Sequence, residues 1–518
     1  MTNNSPSLTQ RTAAGMVWLT GVQLARQVLS VISVSVLARR IPAATYGLMG
    51  MAVLVTTLLE TIRDVGTGTA LIRERELTDD MASTAFWLNC GTGIFGTLLV
   101  IALAWPASFF FHQPQVATIL RFLSVSFLVG ALGVVPTAVL SRAMDFRKLA
   151  AAQSAGAVCG TSSAIAIALA GGKVSALVGG SLVMSFVTTV VTWFLSPLHV
   201  KAVFHTDYAR RILSFGLHLT GSHVMNYFSR NADNVLVARY LGSSPLGYYQ
   251  MGYMLMQFPL YNFTNMLALV TYPALSRFAG DHARFRAAYL RTSRLIALIT
   301  FPAMVGLGVA AQPFVRVFLG PKWEPVAELL AVFGPLGALQ SVAGTLNLVY
   351  NTQGRTDLLF RWQIFASICY VASFIFGLRW GIMGVAVCYA VAWVVLMVPM
   401  YLIPFRLVGI TLSDFFRALW PSMWSTIVMA VVALSSLQVL QRLGVTNPAL
   451  QLVSAATIGA AVYVSLILWQ EAPVVSEVLI AIQGSSNPVA RGIARTLSRF
   501  APAPVASNTT VTQGPPNS

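Results

Sequence analysis

From Met16 to Trp469 the chain is a succession of apolar runs about twenty residues long, each closed by a short polar connector. A helix rises about 1.5 Å per residue, so such a run spans the roughly 30 Å hydrocarbon core of a bilayer. Fourteen runs are read, at 13–37, 45–62, 83–105, 118–140, 150–170, 175–197, 213–239, 247–272, 292–312, 326–350, 362–378, 382–403, 418–440 and 450–470. The second and eleventh are the weakest, which leaves twelve as the other count. The chain is 56% hydrophobic and only 9% charged, against roughly a quarter charged in soluble domains, so a soluble fold is excluded. An all-α integral membrane protein is predicted.

The first run follows a polar stretch with no charged n-region and no cleavage signature, and it reads as a retained span. Cys90, Cys159, Cys369 and Cys388 fall inside runs, without CxxC or Cys/His clustering, and read as small packing residues. The net charge of +17 is unevenly placed. Most Lys and Arg lie in alternate connectors, such as Arg142, Arg147 and Lys148 or Arg284, Arg286, Arg291 and Arg294. Cationic residues resist translocation, so the bias predicts both termini on the cytoplasmic side and argues against a nucleic-acid partner.

Residues 11–51 match residues 211–251 without a gap. Arg11 falls on Arg211, Leu19-Thr20-Gly21 on Leu219-Thr220-Gly221, Ala38-Arg39 on Ala238-Arg239, Gly47 on Gly247 and Met51 on Met251. An offset of six spans keeps the copies parallel, related by a pseudo-two-fold axis along the membrane normal. This divides the chain into an N-lobe (1–200, spans 1–6), a C-lobe (201–403, spans 7–12) and two additional spans (404–483). A cytoplasmic tail (484–518) completes it, with Arg491, Arg495 and Arg499 on one face of an amphipathic helix before a Pro-rich disordered end. The far-side connectors are short, the longest near Phe109–Ala117 and Pro313–Pro325, and leave no room for an extracytoplasmic domain.

Two spans carry polar residues at helical spacing. Gln23, Arg26, Gln27, Ser30 and Ser33 mark span 1, and His223, Asn226, Tyr227, Arg230, Asp233 and Asn234 mark span 7. The repeat register superposes the stripes, so both point to a shared cavity. An Arg mid-bilayer costs about 2.5–3.5 kcal/mol on insertion scales and should face water or a partner. Arg26 has no acid within a helical turn. It suits an anionic substrate group such as phosphate, or alternatively fixes helix packing. Arg230 and Asp233 are spaced to pair with each other, and protonation of Asp233 would free Arg230. Glu60, Arg63 and Asp64 end span 2 as a locally paired set that could also flank a cavity mouth. His218 and His223 lack companions for a metal, and no Ser/His/Asp set or paired-carboxylate site is spaced for catalysis.

Asp64-Val65-Gly66 with Ala70-Leu71-Ile72-Arg73 is followed along the chain by Arg230-Asn231-Ala232-Asp233, Gly242, Leu246-Gly247-Tyr248-Tyr249 and Pro259. Tyr272-Pro273-Ala274-Leu275-Ser276-Arg277 and Gly320-Pro321-Lys322-Trp323 come next in order. This motif order resembles the polysaccharide-transporter branch of the MOP exporter superfamily over nearly the whole chain to about residue 470. The resemblance implies a two-lobed inner-membrane flippase that moves undecaprenyl-diphosphate-linked oligosaccharides to the periplasmic leaflet by alternating access. It implies cationic residues on the diphosphate, carried here onto Arg26 and Arg230, with Gln23, Gln27, Asn226 and His223 beside them. It implies no cofactor, with a proton or sodium gradient acting through Asp233 or Asp64 as the conceivable coupling and Arg63 as a gating neighbour. Its partners would be the lipid-linked substrate, membrane lipids, and the polymerase and export proteins of polysaccharide assembly. Rival readings are a lipid II flippase, a multidrug exporter (which would centre acids, not arginines, in its cavity) and, last, a membrane glycan polymerase or ligase.

Overall fold

The computed structural model describes the backbone of residues 27, 29–63, 67–74, 77–277 and 280–470. Their side chains are described too, except at 62–63, 73, 215–223, 225, 229 and 261–277. Among the described residues every regular element is helical. The helices are α1 (29–40), α2 (Ala43–Arg63), α3 (Thr67–Arg73), α4 (Asp79–Phe110), α5 (Pro114–Leu123), α6 (Val125–Arg142), α7 (Phe146–Leu169), α8 (Val174–Leu195) and α9 (Thr206–Tyr240). They continue as α10 (Ser243–Arg277), α11 (His282–Val309), α12 (Ala311–Phe318), α13 (Glu324–Ala343), α14 (Leu346–Thr352), α15 (Thr356–Gly377), α16 (Gly381–Val408), α17 (Leu412–Arg442) and α18 (Pro448–Gln470).

Ten segments of the described residues are long and apolar enough to cross a bilayer, one of which, Thr356–Val408, holds both α15 and α16. The 35-residue α9 and α10 are not among the ten. In α9 the polar stripe lowers the apolar content of a helix otherwise ample in length. The far-side connectors differ from the bare loops expected. Pro114 starts α5, which buries Val116, Ile119, Leu120 and Leu123 and exposes Arg121. α12 and a short 3-10 turn, Pro321–Trp323, occupy the second connector. Amphipathic sequence at the edge of an apolar bundle folds down onto it.

The described residues of Met1–Leu255, Phe314–Val332 and Trp362–Leu396 form one compact unit. Inside it α7 packs on α8 through glycines: a Cβ on Gly160 would meet the Gly180 carbonyl oxygen at 2.7 Å, and one on Gly156 the Thr188 hydroxyl at 1.9 Å. Small residues let helix backbones approach where no hydrophobic drive acts between helices. Pro136 interrupts α6 and cannot donate to the Leu132 carbonyl one turn back. The Trp193 indole takes that carbonyl at 2.9 Å, and Thr189 reaches the Val129 carbonyl at 3.2 Å, so α8 is tied to α6 where α6 is weakest. The connector before α9 is pinned to the start of α4. Lys201 N donates to Ser83 Oγ at 2.9 Å, Trp87 Nε1 to the Lys201 carbonyl at 3.0 Å, and the Lys201 ammonium sits 3.1 Å from Asp80 and 3.4 Å from Asp79. The hydrogen bond to Asp80 holds that ammonium above its ordinary range.

The described residues of Met256–Pro313, Phe333–Arg361 and Met397–Ser518 form the second unit. Here Pro302 in α11 frees the Leu298 carbonyl, and Tyr463 Oη of α18 donates to it at 2.8 Å. Arg286 of α11 pairs with Asp414 at 2.5 Å, and Asp414 N is capped by Thr411 Oγ1 at 3.1 Å, so α17 docks on the same helix. Tyr463→Phe removes one intramembrane hydrogen bond. It should lower thermal stability by about 0.6 kcal/mol, 1.7 at most. A melting temperature unchanged within error would show that the Leu298 carbonyl finds another donor.

Candidate functional site

The repeated residues meet. α1 ends at residue 40 and Pro42 precedes α2; Pro is pre-set for a helix start and needs no donor there. At the equivalent place α9 ends at Tyr240, and Gly242, at φ +91, turns the chain into α10. The two corners lie against each other with their roles exchanged. A Cβ on Gly47 would fall 1.7 Å from the Ser243 carbonyl oxygen, and one on Gly247 would fall 2.0 Å from that of Ala43. Position 43 is the repeat mate of 243, so residue 47 touches the mate of 43 while residue 247 touches 43 itself. Gly50 likewise faces Gln250.

The repeated arginines are also exchanged. Arg39 donates to the Val317 carbonyl in the connector after α11. Arg239 contacts the His112 ring in the connector after α4 and lies 5.5 Å above Phe110. Gly320 (φ +94) shapes the turn that delivers Trp323, which is fully buried. Trp323 Nε1 donates to the Ala38 carbonyl at 2.8 Å, and its ring meets Tyr46 at 5.2 Å and Tyr248 at 5.8 Å, both edge-on. Guanidinium groups, indole and close glycine contacts thus hold the corner shut. In the sequence Arg39 and Arg239 stand out only as a matched pair of the repeat, with nothing to show the carbonyl and ring they reach.

Of the polar residues singled out in the sequence, Gln23, Arg26 and Asp64 lie outside the described residues, as does the tail 484–518. Arg63 lies in α2 and His223 in α9, with side chains outside the description. Gln27 is half-buried. The span 7 stripe divides: Asn226 and Arg230 are exposed, while Tyr227, Asp233 and Asn234 are buried. Tyr227 Oη donates to the Leu54 carbonyl at 2.5 Å, which ties α9 to α2.

The hydrogen bonds described at Asp233 come from its neighbour and from the next helix. Its Oδ2 accepts from Tyr249 Oη at 3.0 Å, and its Oδ1 from Asn234 N at 2.7 Å and Asn234 Nδ2 at 3.1 Å. Tyr249, on α10, is fully buried and stacks on Tyr253 at 6.3 Å. The carboxylate is closed off by a helix sixteen residues downstream, a contact that helical spacing on α9 could not reveal. A buried carboxylate with three donors can be held in either protonation state by rearranging them. Among the described residues no group of three or more His, Cys, Asp or Glu is arranged to hold a metal ion.

A family model described as polysaccharide biosynthesis protein matches residues 36–328, the stretch that begins just before Arg39 and ends just after Trp323. The chain belongs to this family. The chain is also similar to the lipopolysaccharide biosynthesis protein WzxC of Escherichia coli K12. It is 24% identical over 431 residues, covering 82% of this chain and 88% of that protein. The succinoglycan biosynthesis transport protein ExoT of Rhizobium meliloti is 23% identical over 447 residues, 86% and 90% of the two chains. The fold of this family member is that of known transporters. The lipid II flippase MurJ in an inward closed conformation superposes with a TM-score of 0.71 at 16% identity, over 87% of this chain and 98% of that one. A multidrug resistance MATE transporter of the MOP superfamily superposes at 0.59 and 15%, over 74% and 94%.

Proposed function

We propose that this polysaccharide biosynthesis family member is a flippase. It carries undecaprenyl-diphosphate-linked oligosaccharide repeat units from the cytoplasmic to the periplasmic leaflet, for exopolysaccharide, capsule or O-antigen assembly. The observation that carries this reading is the reciprocal corner, built from the repeat itself, in a fold shared with a lipid II flippase. Relatives named for polysaccharide biosynthesis and transport supply the substrate class. The protein resides in the bacterial inner membrane with both termini in the cytoplasm, and it acts as a carrier, with no catalytic chemistry of its own.

A diphosphate-linked glycan crosses hydrocarbon slowly because its charged head must be stripped of water. A carrier shields the head while the polyprenyl tail stays in lipid, and it exposes the head to one side at a time. On the topology read from the charges, the corner of α1–α2 and α9–α10 closes the periplasmic side. Arg26 and Arg230 are the residues assigned to the diphosphate, with Gln23, Gln27, Asn226 and His223 beside them. Asp233 couples the cycle to a proton gradient by exchanging its Tyr249 hydrogen bond for a proton, with Asp64 and Arg63 at the cytoplasmic mouth. A multidrug exporter of the same fold is the second reading, and Arg230 disfavours a cationic cargo.

Depletion of the protein should accumulate lipid-linked oligosaccharide in the cytoplasmic leaflet, and Arg230→Glu should reproduce that phenotype at normal protein level. Normal translocation with shortened polymer would point to a polymerase role and overturn the reading.

A further inference from the structure

An open groove in the first unit runs between α3, α6 and α8. Its volume is about 560 Å³, within the range of small-molecule sites. On α8 its wall is Ser181, Ser185, Thr188 and Thr192, at steps of four, three and four, which is one helix face extending about 16 Å. On α6 the facing wall is Gly130, Gly133, Thr137 and Ser141, at steps of three, four and four. Gly133 lets α6 approach α8 closely beside the groove. A Cβ on Gly133 would already lie 3.1 Å from Thr189 Oγ1.

Serine and threonine in membrane helices commonly turn their hydroxyls back onto the helix carbonyls, as Ser181 and Thr192 do here at 2.8 and 2.7 Å. Thr69, Thr137, Ser141 and Ser185 do not turn back in this way among the described residues, whereas the Thr188 hydroxyl lies against Gly156 of α7. Unsatisfied hydroxyls against hydrocarbon are costly, so this wall is built for water or a polar ligand. No Lys, Arg, His, Asp or Glu lines it. A diphosphate or a cation would find no countercharge, whereas a neutral ligand rich in hydroxyls would find groups that both donate and accept.

We propose that the groove between α6 and α8 binds the sugar residues of the cargo, as a site separate from the one that holds its diphosphate. The inference rests on the flippase reading and adds the part of the substrate that this half of the molecule recognises. Ile72, Val134, Ala138 and Met184 supply the apolar patches between the hydroxyls. α8 side chains fix the spacing of the two walls, Trp193 on the Leu132 carbonyl freed by Pro136 and Thr189 on the Val129 carbonyl.

The test uses the full chain with its four native cysteines replaced by serine and a single Ser185→Cys reporter, labelled with a water-soluble maleimide. Purified lipid-linked oligosaccharide should slow labelling about tenfold, and undecaprenyl diphosphate without sugar should leave it unchanged. Equal protection by the sugar-free lipid would overturn the proposal, because the groove would then hold the lipid portion. Absence of protection in a preparation that still flips oligosaccharide-lipid in proteoliposomes would also overturn it, with the flippase reading intact. Sugar-dependent protection in a protein that does not flip would support the groove and sink the flippase reading; loss of both would sink both. Thr137→Val keeps the volume and removes the hydroxyl. It should raise the half-saturating concentration about fivefold, an amount typical of one hydrogen bond, and Thr137→Ser should restore it.

Discussion

Gly47→Ala is expected to lower transport by about 5- to 150-fold, the range that follows from 1–3 kcal/mol of overpacking against the closed corner, while the protein still folds and inserts. The added methyl would sit 1.7 Å from a backbone oxygen, and neither partner is a flexible side chain that could swing away. The helices must part, so the sealed arrangement loses population relative to the open one. Gly247→Ala should act alike, because its Cβ meets the Ala43 carbonyl at 2.0 Å. Gly91→Ala is the control: nothing lies within 4 Å of that position, and alanine favours a helix. The state of the corner is read from a Leu246→Cys reporter, since Leu246 is fully buried. It should be shielded from periplasmic maleimide in the parent and labelled in Gly47→Ala. Equal labelling in parent and variant, or a Gly47→Ala protein that transports normally, would dismiss the corner as a gate.

Asp233→Asn is expected to abolish gradient-driven accumulation while sparing slow downhill flipping. Asparagine is nearly isosteric and its carbonyl can still accept from Tyr249, so packing survives. What it cannot do is change charge, and a change of charge at a site closed off from water is large enough to bias two arrangements of a bundle. Tyr249→Phe removes a donor without touching the carboxylate and should shift the pH dependence of transport rather than eliminate it. Proteoliposomes with an imposed proton gradient supply the measurement. An Asp233→Asn protein whose transport still responds fully to the gradient would place coupling elsewhere, with Asp64 the next residue to test.

The membrane-spanning helices were legible because a run of about twenty apolar residues has one physical use. The repeat was legible too, but only as kinship. That Gly47 lies on the Ser243 carbonyl, or that Arg39 and Arg239 reach into connectors of the opposite copy, is a relation across an axis and leaves no mark in either segment alone. Proline told half of a second story. Pro136 and Pro302 each name the carbonyl they leave without its usual donor, whereas nothing local says that Trp193 and Tyr463 will supply the replacements. The stripe on α9 was incomplete for a related reason. Spacing puts Arg230 and Asp233 within reach of each other, but says nothing of Tyr249, which arrives from the next helix to donate to the carboxylate. The hydroxyl face of α8 was visible at helical spacing, yet it carries no charge, and in a membrane span charge is what draws notice.

The exchanged contacts at the corner are those of a symmetric dimer, in which the same patch serves both partners. A half-length ancestor pairing with its twin would have needed one glycine and one arginine to close itself, and fusion of two such genes would have copied both. Once joined, the two halves could diverge everywhere except where each still completes the other, and that leaves these few positions as the fossil of an oligomer inside a single chain.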